Sequence, residues 1–283
     1  MRAPVTQPSS RKADDVADDL LRRIVSGEIA VGSVLPRESD LAESYGVGRS
    51  VVREANKLLE VHRLVRPTRR LGTVVLDPLC SVTPAVLRAM LFGDKGQVDR
   101  AMLGEFLEIR AELDEKMTRL AAERRSREDL GAIERAIERI ELSEPGSEAR
   151  FSASSELGTA LARATKNRIF VMLAHWHAQI AVDLEPLLSK VREPVAEAHG
   201  HRLLLDAIRA RDVDLAGRLV AEFHRWANQR ILGAARSERR AHRERHVPAI
   251  ESASPAHEPD CNRSQPDAVK LPDCLRPIAA ASA

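Results

Sequence analysis

Apolar positions repeat at helical spacing through most of the chain, with one short interruption of strand character. Val16, Leu20, Leu21 and Ile24 share one face of an amphipathic helix that Gly27 ends. Two short helix patterns follow between Leu35 and Leu59, parted by Gly46-Val47-Gly48. In the second, Val52, Ala55 and Leu59 recur at i, i+3 and i+7, which predicts packing against Leu41, Ala42 and Tyr45 of the first. Leu64-Val65 then begins an extended piece, Arg66 to Arg70 makes a basic turn, and Gly72-Thr73-Val74-Val75-Leu76 returns as a β-branched run, so a hairpin is expected. From Pro78 to Gly96 the pattern lapses, except for a helical piece from Val86 to Phe92. Long helix patterns resume at about Val98–Arg124, Arg127–Leu142, Arg150–Ala164, Arg168–Leu188, Pro194–Arg211 and Val213–Ala235.

These elements predict a mainly α protein. Residues 11–77 form a winged helix-turn-helix of three helices and a small β-hairpin, 78–97 a linker, and 98–236 an antiparallel helical bundle. Residues 1–10 and 237–283 lack periodicity and are expected to be disordered. A chain of 283 residues is long enough for two domains. No run of about 18 apolar residues and no secretory leader is present, so a cytoplasmic protein is expected. Cys80, Cys261 and Cys274 have no zinc-like spacing, which leaves free thiols as the expectation.

Charge changes the picture in one place. The formal net charge is only +2, yet Arg49, Arg53, Lys57, Arg63, Arg66, Arg69 and Arg70 are opposed within their stretch by Glu54 and Glu60 alone. Arg49, Arg53 and Lys57 recur every fourth residue, opposite the apolar stripe, where phosphates and guanine edges would lie. Ser50 can hydrogen-bond a base or phosphate, and Val51 offers methyl groups to a thymine. A charged stripe alone is also what a solvated helix face looks like. The basic hairpin beside it, with Arg69 and Arg70 at its turn, decides for double-stranded DNA.

Residues 15 to 76 resemble the winged helix-turn-helix of the GntR family of bacterial transcription regulators. The resemblance rests on Ile24, Gly27, Gly32, Leu35-Pro36, Glu38, Leu41-Ala42, Gly46-Val47, Arg49, Val52-Arg53-Glu54-Ala55, Leu58-Leu59 and Gly72-Thr73. It implies DNA contact by Arg37, Ser39 and Gly72 in addition to the residues above. Three positions depart from the usual pattern: Arg37 replaces a capping Ser, Ser39 an Arg, and Gly48 a Ser or Thr. Operator sequence is therefore less transferable than DNA binding itself.

The helical half resembles the FadR-type effector domain, FCD, of the same family. Glu108-Ile109-Arg110 with Leu120 to Arg124, Ala162 to Asn167, and Leu204 to Asp212 carry the likeness. Many such domains hold a divalent metal through an Asp-x-x-x-His pair and two later His. Those positions here are Ser154, Gly158, His201 and Phe223, so three of the four ligands are missing and neither metal nor other cofactor is expected. On this reading Phe223 joins Leu219 and Trp226 on the inner stripe, and His224, one residue on, points elsewhere. His175 and His177 face different ways, and Trp176 lies in a core stripe running Ile169, Leu173, Trp176, Ile180, Leu184, Leu187.

A ligand cavity lined by Arg110, Ser154, Gly158, His201 and Phe223 is expected in place of the metal. His201 is either a locally bonded core histidine or a ligand contact. Arg110 is either paired with Asp114 at i+4 or free to receive a carboxylate. The resemblance implies a homodimeric, effector-responsive repressor that binds a short palindromic operator and senses a small organic acid or acyl compound. An effector-independent regulator and an enzyme built on the helical half are the alternatives. No nucleophile elbow, Gly-rich phosphate loop or complete metal triad supports the enzyme.

Overall fold

The computed structural model describes residues 9–93 and 97–245. They divide into two compact units, one running up to Val86 and the other from Leu87 to Ala241. The boundary falls inside the expected linker. That segment is itself structured, as a 3-10 turn at Pro78–Cys80 and a helix α4 at Pro84–Leu91.

In the first unit, α1 (Ser9–Val25), α2 (Glu38–Ser44) and α3 (Arg49–Val61) precede a hairpin of β1 (Val65–Thr68) and β2 (Gly72–Val75). Ala13, Val16, Ala17, Leu20, Leu21 and Ile24 of α1 are buried, as the pattern predicts, and α1 packs on α3. Gly27 ends the helix signal at φ 80°, a left-handed value that favours glycine. Tyr45 donates a 2.6 Å hydrogen bond to Asp19, tying the turn to α1.

The hairpin is antiparallel, with Val65 opposite Val75 and Thr68 opposite Gly72. Arg66 therefore lies within β1, and the turn is shorter than expected, from Arg69 to Leu71. On the outer side of β2, Val34 bridges Val74, and Leu35 N–H donates to the Thr73 carbonyl at 2.8 Å. Val34 comes so close that a Cβ on Gly72 would sit 2.8 Å from its Cγ1, while φ at Gly72 is +111°.

The second unit comprises α4 from Leu87, α5 (Arg100–Arg124), α6 (Arg127–Leu142), α7 (Glu148–Ala164), α8 (Arg168–Leu188), α9 (Pro194–Ala210) and α10 (Val213–Arg245) up to Ala241. Local capping explains the boundaries. Ser126 and Asp129 form a reciprocal capping box on α6, and Ser147 and Asn167 cap α7 and α8. One apolar core joins α5, α6, α7, α9 and the start of α10; a second joins α4, α5, α8 and the middle of α10.

Three expectations change. Helix α10 continues to Arg245, past the expected end of the bundle at residue 236, and α1 takes in Ser9 and Ser10. The remaining terminal residues, 1–8 and 246–283, lie outside the described residues. Ile169 is exposed at the start of α8, and the buried stripe begins farther along, at Ile180, Leu184 and Leu187. Among the described residues no helix is long and apolar enough to cross a membrane.

Gly72→Ala should destabilise the winged unit by about 1–3 kcal/mol, since a methyl group meets both a positive φ and Val34. Thermal unfolding of the variant checks this, and an unchanged transition would mean the wing yields freely at that point.

Candidate functional site

Helix α3 presents two faces with different tasks. Val52, Ala55 and Leu59 are fully buried, while Arg49, Ser50, Arg53 and Lys57 are exposed. Gly48 is the N-cap and supplies no side-chain bond, so the amides of Arg49 and Ser50 in the first turn of α3 keep hydrogen-bonding capacity for a partner. Arg49 forms no ion pair among the described residues. Arg53, 64% exposed, is steadied by Glu38 through Nη2–Oε2 at 3.0 Å and Nε–Oε1 at 3.4 Å. Lys57 lies 4.0 Å from Glu54.

Val51 departs from expectation. It is 9% exposed and belongs to the core of the unit, so its methyl groups serve packing and not thymine recognition. Ser39 is half-buried and donates to Asp40 at 2.9 Å, and Arg37 is exposed at the N-cap of α2. At the hairpin tip Arg69 and Arg70 are exposed, with Arg70 at φ 67°. Gly72 is required there by its backbone, whatever else it touches.

The helical unit contains a cavity of about 340 Å³ whose wall draws on both of its apolar cores. Arg110, Ser154, Gly158, His201 and Phe223 all line it. A Cβ at Gly158 would meet nothing within 4 Å, and Ser154 donates to the Arg150 carbonyl at 2.9 Å, so neither fills the space.

At one end of the wall, Arg110 Nε lies 3.4 Å from Asp114 Oδ2, and His224 Nε2 lies 3.0 Å from the same oxygen. The internal pairing weighed for Arg110 is thus present. Burial works to raise the Asp114 carboxyl, but His224 and the Arg110 charge outweigh it and hold the group below its ordinary value. His177 lines the same end and packs edge-on to Phe106 at 5.7 Å; burial pushes its imidazole down, against the opposing pull of Asp114.

His224 corrects the sequence reading. It is 6% exposed, whereas Phe223 is 44% exposed at the cavity wall. The inner stripe of α10 runs Ala216, Val220, His224, Ala227, Ile231 and Ala235, a spacing of fours and one three, and the Leu219–Phe223–Trp226 stripe flanks it.

The other polar end gathers Arg192, Glu197 and His201. Arg150, 3% exposed, bonds the Ile140 carbonyl and Glu197, each at 2.7 Å; Arg192 bonds both oxygens of Glu185 at 3.1 and 3.2 Å. His201 Nδ1 is buried without a hydrogen-bond partner among the described residues, and burial lowers the imidazole pKa despite the nearby Glu197. Neither Arg150 nor its acid was predicted as part of the site, because Glu197 lies 47 residues away.

Residues 12–75 match the family described as bacterial regulatory proteins, gntR family, and residues 105–225 match the FCD domain. A helix-turn-helix-type transcriptional regulator of Mycobacterium tuberculosis, described as uncharacterised, is 32% identical over 68% of this chain and 82% of its own length. The galactonate operon transcriptional repressor of Escherichia coli is 28% identical over 72% of this chain and 90% of its own. Among solved structures, Lar, which controls the expression of the Listeria monocytogenes agr system, matches with a TM-score of 0.53 at 18% identity, covering 77% of this chain and 95% of that one. The last likeness concerns the fold alone. The two sequence relatives are transcriptional regulators and not enzymes, which removes the enzyme alternative.

The two neutral imidazoles set a pH window. A histidine whose folded pKa is depressed opposes folding as it protonates, so stability is full above the unfolded value and falls below it. Melting temperature should therefore decline as pH drops below about 6.5. The decline should be shallower in His177→Gln/His201→Gln; an equal slope in the variant would place the titration elsewhere.

Proposed function

The chain belongs to the GntR family of bacterial transcriptional regulators, with an FCD domain behind its winged helix-turn-helix, and from that premise we propose that it is an effector-responsive repressor. It acts in the cytoplasm as a homodimer on a short inverted repeat. The carrying observation is the two-sided α3, whose buried Val52, Ala55 and Leu59 hold Arg49, Ser50, Arg53 and Lys57 outward. A single small winged helix makes few base contacts, and two-fold symmetry doubles them.

The recognition helix enters the major groove, where Arg49 and Arg53 reach base edges or phosphates. The wing tip adds Arg69 and Arg70 along the backbone or in the minor groove. The sign of regulation is supported by a relative that represses the galactonate operon. The effector is a small carboxylate-bearing molecule seated in the cavity beside Arg110, and its binding lowers operator affinity by favouring one of two states.

DNA selected from a random pool should contain an inverted repeat. On that DNA, Arg49→Ala and Arg53→Ala should each weaken binding by about 1–3 kcal/mol. Neutralising Arg69 and Arg70 together should flatten the salt dependence by up to about two counterions. Fluorescence anisotropy over a salt series reads both effects, and unchanged affinity in the α3 variants would refute the assignment of the helix.

Arg110→Ala should abolish release of the operator by organic acids while leaving effector-free binding intact. Anisotropy titrations with and without acid measure this; full retention of the response would move the effector away from Arg110.

A further inference from the structure

The two charged ends of the cavity differ in what they have left to offer. Arg150, Arg192, Glu185 and Glu197 bond one another and backbone carbonyls, so the charged groups of that end are satisfied from within, and the unpartnered His201 Nδ1 there belongs to a neutral ring. At the other end, Arg110 comes nearest to Asp114 through Nε, at 3.4 Å, and its terminal nitrogens donate no hydrogen bond among the described residues. Asp114 Oδ2 faces both Arg110 and His224, while Oδ1 accepts no hydrogen bond among the described residues. A cation with unspent donors and an anion with unspent lone pairs therefore stand side by side on α5, both in the cavity wall.

This arrangement distinguishes between kinds of carboxylate. A plain carboxylate at Arg110 would bring a second negative charge beside Asp114 and compete with it for the guanidinium, in a wall that also presents the apolar Phe106, Leu113, Met117, Leu157, Leu173 and Trp226. An ammonium next to the carboxylate removes that conflict, because each ligand charge meets its opposite and the balance of the site is kept. Asp114 is suited to the role because its carboxyl stays ionised at neutral pH. Resting on the effector reading above, we propose that the cavity binds a zwitterion, an α-amino acid with a large apolar side chain, its carboxylate on the terminal nitrogens of Arg110 and its ammonium on Asp114. The volume of about 340 Å³ lies in the range of small-ligand pockets.

The chain has two tryptophans, and Trp226 lines the cavity, so intrinsic fluorescence of the full chain reports binding directly. L-Leucine, L-methionine and L-phenylalanine should change the emission saturably. 4-Methylpentanoate and 3-phenylpropanoate, which lack the ammonium of leucine and phenylalanine, should bind at least about tenfold more weakly. In Asp114→Asn that ratio should fall toward one, with helix content unchanged by circular dichroism. If the variant loses helix content, the wild-type comparison of amino acid with acid decides alone. Deaminated acids that bind as tightly as the amino acids overturn the zwitterion and leave the carboxylate cavity standing. No saturable change with either series also overturns it, and the broader reading is then judged by operator release with other organic acids.

Discussion

The burial of three apolar side chains on α3 governs everything the winged unit can do. Val52, Ala55 and Leu59 have no exposure, and full burial of a Val or Leu side chain contributes about 1.5–3 kcal/mol. Turning the helix by one residue, about 100°, would carry that stripe toward water, so the rotation is set by the core and not by the cations. Arg49, Arg53 and Lys57 are outward as a consequence. The solvent-screened surface ion pair of Arg53 with Glu38 is weak beside this, and can only select among orientations of a side chain already facing out.

The helical unit obeys the same constraint with the opposite emphasis. Its six longest helices bury apolar stripes, yet they also bring Arg110, Asp114, His177 and His224 to one wall, and Arg192, Glu197 and His201 to another. Charges lined up beside apolar cores cost stability unless paired, which is why Asp114 has two basic neighbours and Arg150 is saturated by carbonyls and Glu197. Apolar side chains at these positions would serve a purely structural bundle at least as well. The retained polar wall is what supports reading the space as a binding cavity and not an ordinary core.

Local signals carried most of the fold. The starts of α6 and α8 were legible because Ser126 and Asn167 cap the helices that follow them, a matter of a few neighbouring residues. All five expected cavity residues line the space found, since helical phase and a family pattern are both read along the chain. What escaped were relations across it. Glu197 meets Arg150 over 47 residues, with nothing in either neighbourhood to announce the partner. Val51 and His224 failed for a different reason: both adjoin a stripe edge, where one residue of phase decides between core and surface. On α10 the bulk of Leu219, Phe223 and Trp226 outweighed the smaller stripe of Ala216, Val220, Ala227 and Ile231, and it is the smaller one that leaves room for an imidazole.

Magnitudes show how little differential contact regulation needs. A tenfold change in operator affinity corresponds to about 1.4 kcal/mol, and a ligand must supply that much as a difference between the two states it binds. One hydrogen bond to a charged group contributes about 1.5–3 kcal/mol. The cavity wall is drawn from α5 through α10, so a ligand engaging α5 at Arg110 and Asp114 also bears on His224 of α10 through the shared Asp114 carboxylate. A ligand that redirects Asp114 alters the contact through which that half-buried carboxylate of α5 meets the buried His224 of α10. A single such bond, made in one state and not in the other, matches the energy of a tenfold change in operator affinity.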